Sequence, residues 1–194
     1  MKNKLILLTA LILLGFVVNA QKKYTLVDSK SKLTVEGTST VHDWIMNSTV
    51  FSSTALFETE GNSPIKIVDV RLNCKAGKIL SDNSIMDGKT HKALKAEDHP
   101  EITFVFNSVK SYTRLQDNFS GEITGVLSIA GKTKKITLPF SGNVASTGTL
   151  QVKGTVQFKM TDFGIDPPTA MLGALKTGDD IKINYDLHYV KSIN

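Results

Sequence analysis

Apolar and polar residues alternate with a period of two through most of the chain after its first twenty positions. Six rows show the pattern most strongly: 150–160, 181–189, 136–144, 119–129, 102–106 and 68–74. Three weaker segments, 24–28, 33–39 and 50–58, are rich in Thr and Val. Because successive side chains of a strand point to opposite faces, this pattern predicts strands with one apolar face each.

Two segments depart from this pattern and predict helices. The principal helix is expected over 84–96, where Ser84 and Asp87 resemble a capping box and Pro100 ends the segment. A second, shorter helix is predicted over 167–176, with Asp166 as its cap and Gly178 as its stop signal. The chain is therefore mainly β, with helical insertions.

Eight or more one-sided strands joined by short turns favour a closed antiparallel barrel, because closure removes exposed sheet edges. Turn-forming residues at 131–134 and 146–148 separate consecutive strands by only a few positions. Strand periodicity alone does not distinguish a barrel from a sandwich of two sheets.

The N-terminal segment predicts export. Lys2 and Lys4 precede an apolar run from Leu5 to Val18, and Val18-Asn19-Ala20 offers a cleavage site. We therefore expect a signal peptide at 1–20 and one domain at 21–194, periplasmic or secreted. The run is shorter than the roughly 20 residues of a membrane span, although a retained anchor is the alternative. No stable membrane span is expected elsewhere.

Composition and motifs argue against several classes of function. Removing Lys2 and Lys4 lowers the formal charge from +5 to +3, and the basic residues are dispersed, so nucleic acid is not expected as a partner. Cys74 is the only cysteine, which excludes an internal disulfide and predicts a buried, inert thiol. The histidines lack metal-ligand spacing, and nucleophile-elbow, P-loop and dinucleotide motifs are absent. We expect no enzyme, metal or cofactor.

Four stretches together resemble a known family. They are Ser39-Thr-Val-His-Asp-Trp44, the block 84–104, the segment 125–134, and Asp162-Phe-Gly-Ile165. In order and spacing they are similar to the YceI-like family, also called the lipid or polyisoprenoid-binding family, and the resemblance covers Tyr24 to Tyr189. Its members are small exported proteins.

The resemblance implies an elongated, lipocalin-like antiparallel β-barrel of about eight strands with one principal helical insertion. Some members hold an isoprenoid or another amphiphile in the barrel. This implies a binding protein for lipid transport, storage or sequestration; the sequence leaves a homodimer open. The alternative is a barrel filled by side chains that acts through its surface in stress adaptation or protein interaction.

We predict ligand contacts on the inward rows and at one opening of the barrel. The interior candidates are Met86, Phe104, Leu127, Ile129, Leu138, Phe140, Val156, Phe158 and Phe163; an ordinary dry core would use the same residues. Inward-row glycines either leave space along the axis or relieve strand coiling.

At the opening, His42 and Trp44 could meet a polar head group, or Asp43 could cap a turn in which Trp44 plugs the base of the barrel. Lys89, Lys92 and Lys95 could attract an anionic head group, or form a solvated face. Met171, Leu172 and Leu175 could form a flexible apolar flap over the mouth, or pack on the wall.

Overall fold

A computed structural model of the chain describes residues 20–61 and 63–192. The strands are β1 Ala20–Leu26, β2 Lys32–Ser39, β3 Trp44–Ser48, β4 Phe51–Glu60, β5 Ser63–Lys75, β6 Ile79–Leu80, β7 Glu101–Leu115, β8 Asn118–Ile129, β9 Lys132–Val144, β10 Leu150–Lys159, β11 Thr169–Ala170 and β12 Leu175–Lys191. Helix α1 spans Ser84–Ala93. The predicted signal peptide lies outside the described residues except for Ala20, the first residue of β1.

The sheet closes on itself because β12 pairs with both β1 and β2 as well as with β10. Tyr189 lies opposite Leu26 in β1, and Ile183 lies opposite Val35 in β2. β1 and β2 thus act as one long strand interrupted at Asp28–Lys30, and β3–β4 and β5–β6 continue in the same way. The result is an eight-stranded antiparallel barrel, which confirms the predicted fold class and excludes the sandwich.

The inward rows of the barrel follow the predicted alternation with one local exception. Leu56 pairs with Asp69 but Phe57 pairs with Ile67, so Val68 is the extra residue of a β-bulge. A bulge reverses the faces on its two sides. Ile67, rather than the predicted Val68, therefore continues the inward row and is 6 % exposed.

One predicted turn is displaced by a residue. Ile129 pairs with Lys132, which leaves a two-residue hairpin turn of Ala130 and Gly131 rather than a turn over 131–134. Both turn residues have positive φ, 50° and 77°. Such turns match the right-handed twist of the flanking strands.

Helix α1 begins where predicted but is capped differently. Asn83, not Ser84, accepts the backbone N–H groups of Ile85 and Met86 at 3.0 and 3.1 Å. Asp87 instead accepts from Ser81. The helix ends at Ala93, three residues before the expected end, because Lys95 takes a left-handed conformation with φ of 51°.

The predicted second helix over 167–176 is wrong. Thr169 and Ala170 pair with Lys176 and Leu175 as β11 and β12, in a small hairpin at one end of the barrel. Met171, Leu172 and Gly173 at its turn have φ of 50°, 53° and 90°. Three consecutive left-handed residues cannot belong to a right-handed helix.

Glycines on the inward rows receive aromatic rings from neighbouring strands. Gly37 lies opposite Trp44, Gly142 opposite Phe119, and Gly154 opposite Tyr185; a Cβ at any of these glycines would overlap the facing ring. The rings therefore lie flat along the barrel wall. The glycines create room for aromatic side chains rather than empty space along the axis.

Gly154→Ala should lower the free energy of unfolding by about 1–3 kcal/mol, since the new methyl group would overlap Tyr185 and the backbone oxygen of Pro139. The matched control is Gly88→Ala, because a Cβ on Gly88 in α1 meets nothing within 4 Å. That control should stabilise the protein by about 0.5–1 kcal/mol through helix propensity. Urea denaturation compares the two, and equal effects would contradict the packing role of Gly154.

Candidate ligand-binding cavity

A cavity of about 610 Å³ occupies the interior of the barrel. This volume falls within the roughly 300–1,000 Å³ of small-molecule sites. Its wall is built mainly from the inward rows of the barrel strands, with Met86, Thr90, Ala93 and Leu94 of α1 at one end. Side chains therefore do not fill the barrel.

The cavity opens at one end of the barrel and is closed at the other. At the end that carries α1, the lining residues Val41 and Ile85 are 61 % and 73 % exposed. At the opposite end, Phe119 and Phe140 are buried and their ring centroids lie 6.2 Å apart. We call the first end the mouth, where loop 40–43, α1 and the connection 160–174 contribute lining residues.

Most of the predicted contact residues lie together on this cavity. Those that line it are His42, Trp44, Met86, Lys89, Phe104, Leu127, Ile129, Leu138, Phe140, Val156 and Phe158. The register of the strands brings these residues, which are distant in sequence, to one inner surface of the barrel. Their role in binding stays a prediction.

Four predicted contact residues, Lys92, Phe163, Met171 and Leu172, do not line the cavity. Phe163 is 1 % exposed and packs edge-on against Phe158, with ring centroids 5.1 Å apart, so it supports the wall from behind. Lys92 is exposed on α1. Met171 and Leu172 are 74 % and 110 % exposed and neither cover the mouth nor pack on the wall.

Among the described residues, two lysines line the cavity, Lys89 and Lys176, and both lie at the mouth. Lys89 Nζ donates to the carbonyl oxygen of Thr169 at 3.0 Å, which links α1 to β11. No described Asp or Glu lines the cavity. The lining is thus apolar along its length and basic at its opening.

The turn before Trp44 is organised by Ser39 rather than by Asp43. Ser39 Oγ donates to the carbonyl of His42 at 2.8 Å and accepts from the N–H groups of Val41 and His42. Trp44 Nε1 donates to the carbonyl of Thr38 at 2.9 Å. Since this N–H already has a backbone partner, Trp44 presents an apolar ring to the cavity, and the predicted bond from it to a head group is not supported.

Sequence reasoning missed Lys176 and two tyrosines of β12. Lys176 was missed because the sequence predicted a helix over 167–176. It is instead the second residue of β12, which begins at Leu175. Tyr185 and Tyr189 line the cavity and belong to an inward row that alternation had already indicated. The signal for the tyrosines was therefore present in the sequence.

Polar groups inside the cavity are paired with one another. Ser53 Oγ lies 2.8 Å from Tyr189 Oη and donates to the carbonyl of Arg71 at 2.7 Å. Ser48 Oγ lies 3.0 Å from Cys74 Sγ. Burial raises the pKa of the Cys74 thiol, which keeps it protonated and unreactive at neutral pH.

Comparison with known proteins identifies the family. A family model described as the YceI-like domain matches residues 24–189. The chain belongs to the YceI-like family. A search of curated protein sequences finds no match.

Solved structures of YceI-like proteins share the fold. BcnA from Burkholderia cenocepacia is 16 % identical, with a TM-score of 0.68 over 84 % of this chain and 98 % of that one. A polyisoprenoid-binding domain from Saccharophagus degradans, implicated in plant cell wall breakdown, is 13 % identical, with a TM-score of 0.67 over 87 % and 98 %. The YceI protein of Campylobacter jejuni is 20 % identical, with a TM-score of 0.58 over 77 % and 85 %. At these identities the likeness concerns the fold.

Within residues 20–61 and 63–192, none of the helices has the length and apolar character needed to cross a membrane. No group of three or more His, Cys, Asp or Glu side chains in those ranges could hold a metal ion.

The buried tyrosines predict a loss of stability at high pH. Burial raises the pKa of Tyr189 to about 12 from 10, and it also raises the pKa of Tyr185. Folding thus favours the neutral phenol of Tyr189. The resulting stabilisation of the folded state is complete below pH 10 and is lost as the pH rises through 12. For Tyr189 the loss should be about 2–3 kcal/mol.

Urea denaturation at neutral pH and between pH 10 and 12 measures this loss. Tyr189→Phe should show a smaller decrease than the parent, while retaining the part due to burial of Tyr185. A pH dependence identical in the variant and the parent would contradict the assignment to Tyr189.

Proposed function

We propose that this protein is an exported binding protein that holds an apolar or amphiphilic lipid, of isoprenoid or long-chain type, inside its barrel. The observation that carries the proposal is the apolar cavity whose lysines, Lys89 and Lys176, both lie at the mouth. In this proposal it acts in lipid transport, storage or sequestration and catalyses no reaction.

The polarity of the cavity determines how such a ligand would lie. An apolar tail gains about 25 cal/mol for each Å² removed from water, and the inward rows provide that surface throughout the barrel. An ionised head group inside the barrel would be costly to bury because its wall has no charged partner there. The tail therefore lies inside and the head stays at the mouth.

The relatives support the class of ligand. The domain from Saccharophagus degradans is named for polyisoprenoid binding, and it has the same fold. We extend to this chain only the class of ligand, a molecule with a slender apolar tail, and not a particular compound. Native mass spectrometry of protein purified from its own host would identify a retained ligand.

The proposed export rests on the segment that precedes β1. Cleavage after Ala20 would leave the domain 21–194 and remove only the first residue of β1 from the barrel. The mature chain should begin at Gln21. N-terminal sequencing of the exported protein checks this, and an intact Met1 in the membrane fraction would contradict it.

Blocking the barrel interior should abolish binding of a long-chain probe. Leu127 faces the cavity and is 9 % exposed, whereas its neighbour Val126 faces outward and is 40 % exposed. Leu127→Trp should reduce affinity for a fluorescent long-chain fatty acid by about tenfold or more, because its ring would occupy the path of the tail. Val126→Trp is the matched control and should bind as the parent does.

Circular dichroism should show that both variants keep the β-barrel. Val156→Trp, on β10 two strands away from Leu127, should reproduce the effect of Leu127→Trp. If the folded Leu127→Trp and Val156→Trp proteins bind the probe with parental affinity, the ligand does not lie in the barrel.

Trp44 provides an intrinsic reporter because it is the only tryptophan of the chain and lines the cavity. Its fluorescence should be quenched when a fatty acid brominated near its carboxyl end is added. Bromination near the far end of the tail should quench less, since that end would lie deep in the barrel. Stronger quenching by the far-end bromine would reverse the proposed orientation.

A further inference from the structure

The connection between β10 and β12 carries an apolar tip, Met171 and Leu172, that the cavity does not explain. Both side chains project into solvent, with exposures of 74 % and 110 %. Both residues have positive φ, 50° and 53°, which is unfavourable for side chains with a Cβ. The fold thus holds two large apolar side chains outward in a strained turn.

The apolar tip lies beside the mouth of the cavity. Pro168 and Thr169, three and two residues before Met171, line the cavity, and Lys89 of α1 donates to the carbonyl of Thr169. Val41 and Ile85, which are also strongly exposed, line the same mouth. Exposed apolar side chains therefore lie beside the opening through which a ligand would pass.

Charge at this surface favours one kind of partner. Lys89 and Lys176 line the mouth, and neither forms an ion pair with a described carboxylate. Asp43 and Asp166, in the flanking loops, do not line it. Exposed apolar side chains next to lysines that lack an ion-pair partner among the described residues complement a bilayer surface, which offers acyl chains and phosphate groups at adjacent depths.

We propose that the mouth docks on a lipid bilayer, with Met171 and Leu172 inserted among the acyl chains and Lys89 and Lys176 facing lipid phosphates. This inference rests on the proposed function, because docking would let an apolar tail pass between membrane and cavity without crossing water. Exposure of the tail to water would otherwise cost the free energy that its burial provides.

The test is co-sedimentation of the full exported chain with vesicles of phosphatidylcholine and phosphatidylglycerol. Met171→Ser combined with Leu172→Ser should weaken vesicle binding by about tenfold or more, since two apolar side chains no longer insert. The matched control is Leu115→Ser. Leu115 is 74 % exposed, as Met171 is, but lies at the closed end, so its replacement should leave binding unchanged.

Vesicle composition and salt test the contribution of the lysines. Binding should be weaker to phosphatidylcholine alone and should decrease as salt is added, because screening reduces attraction to anionic phosphates. Leu172→Gly offers a second variant that suits the left-handed backbone better than leucine does. It should fold at least as stably as the parent and still bind vesicles less tightly.

Binding of the fluorescent fatty acid in solution separates the two proposals. If the tip variants bind this probe as the parent does but lose vesicle binding, the docking proposal is supported. If the parent binds the probe but vesicle binding is equal in the parent and the tip variants, docking is overturned while the proposed function stands. Failure of the parent itself to bind the probe refutes the proposed function. If the parent ignores vesicles and forms a dimer that the tip variants lose, the tip contacts a second copy instead.

Discussion

The pairing of β12 with β10 on one side and with β1 and β2 on the other is the constraint on which this structure depends. It closes the barrel, and closure gives every inward row a shared interior. β12 has 17 residues and pairs with both β1 and β2, because the chain is interrupted at Asp28–Lys30 between these two shorter strands. Without this pairing the rows would face solvent, and no enclosed apolar surface would exist.

The aromatic residues then determine how much of that interior stays open. Rings that lie flat over Gly37, Gly142 and Gly154 cover the wall without crossing the axis. The cluster of Tyr112, Phe119 and Phe140 closes one end, and α1 partly covers the other. An elongated apolar cavity with a single basic mouth is the consequence, and its shape and polarity favour a tail over a compact polar ligand.

The mouth joins features that belong to separate parts of the chain. Loop 40–43, α1 and the connection before β12 meet there, and the bond from Lys89 to Thr169 holds two of them together. Exposed apolar side chains and lysines at one opening link the proposed binding site to the proposed docking surface. In a barrel with a single opening, access for the ligand and contact with its source must occur at the same place.

Period-two alternation determined the strands, the inward rows and most of the cavity wall, because each strand follows its local pattern of residues. The resemblance to the YceI-like family favoured a closed barrel over a sandwich. The pairing of β12 with β1 and β2 shows that the sheet closes. The local sequence pattern gave the wrong prediction at two places where pairing with a distant strand determines the structure. Val68 lies in a bulge that results from the pairing of β5 with β4. Segment 167–176 forms a hairpin between β11 and β12 rather than a helix. Lys176 therefore reached the mouth, and Met171 and Leu172 faced solvent, through tertiary pairing that no short stretch of sequence encodes.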